Sequence, residues 1–433
     1  MTKDVKLQVE HLTRVEGHGG IELNIKDGKV EKVLWNVTEA PRLFESFVRG
    51  KPYSQLAQIT SRICGICSIG HALASLKATE TAIGIEISDQ SKNMRRLAIH
   101  GENMQSHMLH LGYLTAPDLF GVGSVFPLIG TNLEVVKAVI RLHRVANQLS
   151  DLICGRTTHP VNLVPGGLWK TPSERQMEDV KQKLVEIEPT INQVGELMLS
   201  KVNVFPYFNR ETEYIALTSD EEYALYDGLI GSTDTGTCLV SDYKKIANEF
   251  VVPQSTAKYT KHARDSYMVG ALSRFNLNSH KLSPKALEWA KRFGLKTKCN
   301  NPFMNNVAQF VEFVHSQEES IRIMDSLLSD RLKNERRPEV KPRAGRGVGA
   351  VEVPRGILFH DYTYDHEGVC QKANCVIPTN QNHNNIQKDL ESFSPTLVGK
   401  SEKEIELGLE MLVRAYDPCI SCSTHFLKVS FRR

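Results

Sequence analysis

The sequence predicts a mainly α-helical chain with a small antiparallel sheet near its amino end, an α+β arrangement in which helices dominate. Three observations predict it. Alternating apolar residues are confined to one early stretch, apolar stripes at three- and four-residue spacing recur afterwards, and helix-capping signatures stand at two later places.

The early stretch is GIELNIKDGKVEKVLWNV, residues 20–37. Ile21, Leu23 and Ile25 alternate, Asp27-Gly28 supplies a turn, and Val33, Trp35 and Val37 alternate again, which reads as a hairpin. From Met94 a stripe of Leu97, Gly101, Met104, Met108 and Leu111 predicts one helix, and Val135, Val139, Leu142, Val145, Leu149 and Leu152 predict another. In TPSE, Thr171 reads as the N-cap, with Pro172 at the first helical position and Glu174 as capping-box partner. That helix is expected to end near Pro189, with a further one running toward 203. SEKE, from Ser401 to Glu404, repeats the signature ahead of Ile405, Leu409, Leu412 and Tyr416, a helix that stops at Pro418 and delivers Cys419 into the interior. The polar segments 207–265 and 328–356 read as insertions and loops, with further β structure in the middle third.

Bulk properties narrow the function classes. The 433 residues are 41% hydrophobic and 24% charged, ordinary values for a globular protein. A formal charge of +3 gives no reason to expect nucleic acid or an acidic membrane surface. No apolar run approaches the roughly 20 residues that span a bilayer. MTKDVKLQVEHLTRVEG at the start has neither an apolar signal core nor a twin arginine, so a cytoplasmic location is expected. Nine cysteines in such a chain argue for thiols or metal ligands rather than disulfides.

RICGIC, residues 62–67, sets Cys64 and Cys67 two residues apart beside Arg62, and DPCISCSTH, 417–425, supplies Cys419 and Cys422. Spacing alone leaves a closed zinc site, a redox pair and unrelated buried thiols all open. The surroundings add that one pair opens a helix and the other follows one. CSIGHALASLKATETA continues helically after Cys67, which puts that sulfur near a helix N-terminus and favours the thiolate. Four thiolates meeting at helix ends make a soft, electron-rich cage suited to nickel or iron. His71, one turn beyond Cys67, is placed to hydrogen-bond its sulfur. Gly65 is read as permitting a tight helix entry that aims both sulfurs inward, and Arg62, without an assigned role, as backing either the ligands or the helix packing.

Other motifs stand in order along the chain: RVEGH (14–18), PRLFE (41–45), NMQSHMLHLGYLTAPD (103–118), VEVPRG (351–356) and NCVIPT (374–379). With the two cysteine pairs they make the sequence resemble the large, catalytic subunit of nickel–iron hydrogenases over nearly its whole length. The resemblance is to the cytoplasmic bidirectional group, which includes sulfhydrogenases and NAD(P)- or heterodisulfide-reductase-linked relatives. The homologous quinone-site subunit of respiratory complex I lacks these cysteines.

The resemblance implies a single hydrogenase large-subunit domain over 1–425, built on a central helix bundle. It implies reversible heterolytic cleavage of H2, with Cys64 and Cys419 as terminal nickel ligands and Cys67 and Cys422 shared between nickel and an iron that carries cyanide and carbon monoxide. Glu16 matches the proton-transfer carboxylate beside Cys419, and Arg355 the guanidinium poised over the metals, with Asp417 as its partner. Pro354 and Thr379 match positions that pack on, or hydrogen-bond to, the diatomic ligands. Glu45, the backbone at Cys375, and His425 match the ligands of a separate magnesium or iron(II) site. One position departs: uptake enzymes carry Asp where this chain has Ser106, and serine there is similar to the cytoplasmic group.

Cys154, Cys238, Cys299, Cys370 and Cys375 show no iron–sulfur spacing, so electrons must leave through an iron–sulfur small subunit. A diaphorase or other electron-transfer subunit, with NAD(P) as the expected acceptor, is implied beyond it. The resemblance also implies that FLKVSFRR, 426–433, is a propeptide removed by a maturation endopeptidase. A hydrogen sensor, a non-catalytic subunit of the same fold and a zinc-stabilised scaffold are the competing functions.

Overall fold

The computed structural model describes residues 4–336 and 338–424. Strands Val5–Val9, Gly19–Lys26 and Lys29–Val37 form the expected antiparallel sheet in simple meander order. The hairpin turns at Asp27 and Gly28, both at positive φ, as an Asp-Gly turn requires. Ile21, Leu23, Ile25, Val33, Trp35 and Val37 all face the core.

Helices dominate the rest. Asp89–Leu109 carries the Met94–Met108 stripe inward and crosses Leu133–Cys154. The crossing is close because Gly101 leaves no Cβ; one there would stand 2.7 Å from Ser150 Oγ. One sequence expectation shifts. The helix at 171 is Glu174–Glu186, capped by Ser173 with Gln176 completing the box. Ser173-x-x-Gln176 is itself a capping box, and it lies two residues beyond the Thr171-Pro172 pair that drew the reading. The helix ends at Glu186, just ahead of Pro189 as expected, and Pro189 stands in the first turn of the next, Glu188–Lys201, where a missing N–H costs nothing. The Ser401–Glu404 box forms as read, on helix Glu402–Ala415.

The segments read as loops are in part sheets. Strands Glu213–Thr218, Leu229–Ser232 and Gly236–Cys238 join Tyr267–Met268 in a four-stranded sheet. Gly345–Val353 pairs along its whole length with Gly356–Tyr364, and Cys370–Val376 completes that sheet. Its glycines hid it. A Cβ on Gly345, Gly347 or Gly349 would overlap the carbonyl oxygens of Ala82, Ala78 and Ala74 on helix Ser68–Ile83. The alternating glycines therefore let a strand lie directly on a helix, and no apolar alternation survives to announce it.

That helix is the hub. It is buried almost all round, and it packs on the Gly345–Val353 strand and the Gly356–Tyr364 strand. Among the described residues no helix is long and apolar enough to cross a membrane.

Candidate metal centre

The two cysteine pairs meet. Cys64 lies just past a short 3-10 turn, Ser61–Ile63, and Cys67 is the N-cap of helix Ser68–Ile83. Cys419 and Cys422 come from the turn after Glu402–Ala415, where Asp417 takes a positive φ of 50° and reverses the chain. Ligand atoms of all four cysteines lie within 4.8 Å of one another, and all four residues are at most 5% exposed. Cys64 Sγ stands 3.5 Å from Cys419 Sγ and accepts a hydrogen bond from the Cys67 amide at 3.2 Å.

The amino-terminal segment closes this cage. The Ile420 amide donates to the Glu16 carbonyl at 2.9 Å, in a parallel bridge between Glu16 and Cys419. Glu16 Oε2 lies 3.2 Å from Cys419 Sγ and accepts from the Ser421 amide at 3.1 Å, while the Ser421 hydroxyl donates to Glu16 Oε1. Gly17 makes the approach possible: at φ +86°, its Cβ would fall 2.7 Å from the Ser421 nitrogen. Arg42 stitches the same seam, its guanidinium reaching the carbonyls of Ile63 and Ser421 at 2.5 Å.

Arg355 comes from the turn between the Gly345–Val353 and Gly356–Tyr364 strands. It donates through Nε to the Asp417 carbonyl and through Nη2 to Asp417 Oδ1 at 2.8 Å, while Nη1 is buried with no hydrogen-bond partner among the described residues. Burial opposes the charge on Arg355, but Asp417 and the Cys67 and Cys64 sulfurs outweigh it and raise its pKa. For Cys64, burial is likewise the largest influence and is overcome, by Cys67 hydrogen bonding and by Arg355, so its thiol falls below the ordinary value. Cys67, which donates to Cys64 and is buried, goes well up. One cysteine of the pair is thus favoured as thiolate and the other as its proton-bearing neighbour.

Cys419 and Cys422 stand in disulfide contact, where free thiols were expected. Thiolates no more than 4.8 Å apart repel by at least roughly 3–4 kcal/mol at an effective dielectric of about 20, so four sulfurs held this close need protons or a cation between them. The donor set is soft and closed to water, and Arg355 Nη1 leaves a cationic donor free for an anionic group beside it. The residues present fit a nickel–iron group.

The remaining predicted residues fall around this cage. The Thr379 hydroxyl accepts from the Cys419 amide at 3.0 Å, and the Pro354 carbonyl accepts from Arg274 at 3.0 Å. His71 shares Nδ1 with His360 Nε2 at 3.1 Å, in a buried pair. Ser106 is fully buried. Glu45 Oε1 accepts from the Cys375 amide at 2.9 Å, which brings together two of the residues expected at the second site, whereas His425 and 426–433 lie outside the described residues. Two readings fail: Arg62 is exposed, and Gly65 has nothing within 4 Å of where a Cβ would stand and no positive φ.

Sequence reasoning missed Glu102, fully buried and accepting from the Ile69 and Gly70 amides at 2.8 and 3.0 Å, at the start of the helix that Cys67 caps. Burial pushes its carboxyl up to about 8, against the pull of those hydrogen bonds. Its position one residue before NMQSH, and Arg42 and Ser421 inside quoted motifs, were the available signals.

Soft sulfur donors, a buried cation and an adjacent acid in one dry cage define a thiolate-bound metal enzyme. The chain belongs to the nickel-dependent hydrogenase family, whose model matches residues 42–128 and 254–425, and a HoxL-like model matches 6–40. It is 32% identical to the alpha subunit of sulfhydrogenase 2 of Pyrococcus furiosus, over 98% of this chain and 100% of that one. It is 29% identical to the beta subunit of the NAD-reducing hydrogenase HoxS of Cupriavidus necator, covering 98% and 95%. The crystal structure of an NAD+-reducing [NiFe]-hydrogenase in the H2-reduced state superposes with a TM-score of 0.86 at 26% identity, covering 98% of this chain and 100% of that one. The chain is the catalytic large subunit of a nickel–iron hydrogenase, an oxidoreductase acting on H2, and its relatives are named as alpha or beta subunits of hydrogenases.

Proposed function

We propose that this chain carries out reversible heterolytic cleavage of H2 at a nickel–iron group held by Cys64, Cys67, Cys419 and Cys422. The observation that carries the reading is the meeting of the two cysteine pairs inside 4.8 Å with Glu16 and Arg355 against them. Cys64 and Cys419 would hold nickel, and Cys67 and Cys422 would hold both nickel and an iron bearing cyanide and carbon monoxide. When bound, the group supplies paired soft metals that polarise and split H2.

The chain's own residues do the rest. Glu16 Oε2 takes a proton from the Cys419 sulfur at 3.2 Å, with Ser421 holding the carboxylate in line. Arg355, anchored on Asp417, keeps Nη1 free as a buried cationic donor that would stabilise an anionic group held by the cysteines. Thr379 fixes the Cys419 backbone, Pro354 sets the backbone ahead of Arg355, and His71 lines the Cys67 helix. Burial of all four cysteines excludes water. Glu45, the Cys375 backbone and His425 are assigned to a magnesium or iron(II) site.

Electrons pass to an iron–sulfur small subunit and on, through a diaphorase or similar partner, to a cytoplasmic acceptor, with NAD(P) favoured by the likeness to an NAD-reducing hydrogenase. Residues 426–433 are assigned as a propeptide cut after His425 by a maturation endopeptidase. Hydrogen-dependent viologen reduction by the large–small pair tests the reading. Turnover is expected, and a negligible rate with the metals fully loaded would instead assign a sensor. Intact mass of active protein should end at His425; a chain ending at Arg433 removes the propeptide.

A further inference from the structure

We infer that Arg274 is a positioning residue that fixes the backbone of Arg355, and so sets where that guanidinium stands beside the cysteine sulfurs. The inference rests on the assignment of Arg355 to the metal centre.

Arg274 lies on helix Ala271–Asn278 with its side chain fully buried. Nε and Nη2 both donate to Glu312 at 2.6 Å, and Nη1 donates to Glu352 Oε2 at 2.8 Å. The same fork reaches two backbone carbonyls, Val353 at 2.9 Å and Pro354 at 3.0 Å. Those two residues directly precede Arg355. Pro354 has no N–H to donate, so this stretch of backbone takes its anchor through its carbonyls. A planar guanidinium can serve two carboxylates and two carbonyls at once, which an ammonium cannot.

Packing reinforces the clamp. Gly356, at φ +129°, would place a Cβ 2.5 Å from Val269 Cγ2 and 2.9 Å from the Gly270 nitrogen. Gly270, the N-cap of the Arg274 helix, in turn faces the Arg355 carbonyl. The start of this helix is thus pressed onto the Arg355 turn.

The partner of Arg355 is referenced to the same scaffold. On helix Asn305–Ser329, Asn305, Gln309 and Glu312 share one face by their four- and three-residue spacing. Glu312 holds Arg274; Gln309 Nε2 donates to Asp417 Oδ2 at 3.1 Å; Asn305 Nδ2 donates to the Ala415 carbonyl at 2.8 Å. His107 Nε2, at 2.8 Å, and the Tyr223 hydroxyl, at 2.6 Å, complete the shell of Glu312. One rigid helix face therefore fixes both halves of the Arg355–Asp417 pair.

A double-mutant cycle on the metal-loaded large–small complex tests this. Arg274→Lys keeps the charge and loses the carbonyl anchors. It is expected to lower kcat for viologen reduction about 10- to 100-fold, with KM for H2 and nickel content unchanged, and to shift the nickel electron paramagnetic resonance signature. In an Arg355→Lys background the same change is expected to cost less than about twofold. An equal loss in both backgrounds, or an unmoved nickel signature, overturns the inference while leaving the role of Arg355 intact. Unchanged turnover in Arg355→Lys alone overturns that role and the inference with it. If Arg274→Lys does not accumulate, Glu352→Gln, which loosens the same fork, goes through the same cycle under the same criteria.

Discussion

Replacing Gly17 by alanine is expected to open the seam that closes the cysteine cage. Gly17 sits at φ +86°, where an L side chain costs about 1–2 kcal/mol. The new Cβ would also fall 2.7 Å from the Ser421 nitrogen and 2.8 Å from Ile420 Cβ, so the two strands must part. Parting them stretches two hydrogen bonds, the Ile420 amide to the Glu16 carbonyl and the Ser421 amide to the Glu16 carboxylate. These are worth about 1 and about 2 kcal/mol. The sum is roughly 4–5 kcal/mol, or a fall in Tm of about 5 °C for a chain of this size. Because Cys419 and Cys422 lie on the displaced segment, nickel per chain should fall with it. Elemental analysis and thermal melting of purified protein check both. Gly65→Ala is the control: with ordinary φ and open space around it, its Tm should stay within about 1 °C. Full nickel content and an unchanged Tm in Gly17→Ala would refute the claim that this seam shapes the cage.

Three further outcomes are expected. Glu16→Gln keeps nickel and iron but suppresses hydrogen–deuterium exchange at least 100-fold; full exchange removes Glu16 from the proton route. Trp35→Phe takes the indole donor, 3.0 Å away, from the buried His383 Nδ1 and should cost about 1–3 kcal/mol by chemical denaturation, with less than 0.5 contradicting the link. Glu102, pushed up to about 8 chiefly by burial, binds its proton more tightly in the folded state. Its contribution is therefore complete below about pH 4.5 and is lost as pH rises toward 8, by about 4 kcal/mol in the metal-free chain. Glu102→Gln should flatten that slope, and an identical pH dependence in both proteins would reject it.

The chemistry was legible in the sequence because its residues come in contiguous motifs. RVEGH, RICGIC, VPRG and DPCISCSTH each bring a site residue with its neighbours, and the structure brings Glu16, Cys64, Cys67, Arg355, Asp417, Cys419 and Cys422 together. The supports were not legible. Arg274, Glu312 and Glu352 are charged residues that local patterning assigns to solvent, and only the long-range packing of the three elements that carry them buries and pairs them. The Gly345–Val353 strand escaped for the opposite reason, since glycines chosen for contact with a helix erase the alternation that marks a strand. Capping chemistry was found at both places, but at 171–174 two overlapping signatures competed and Ser173 won.

What the four cysteines hold decides whether this chain is a nickel–iron enzyme. Metal analysis of the purified large–small complex, joined to nickel X-ray absorption, should find nickel and iron in equal amounts, with nickel in an all-sulfur protein environment that is lost in Cys64→Ser and Cys422→Ser. Stoichiometric zinc in their place, or nickel bound through nitrogen and oxygen, would contradict it.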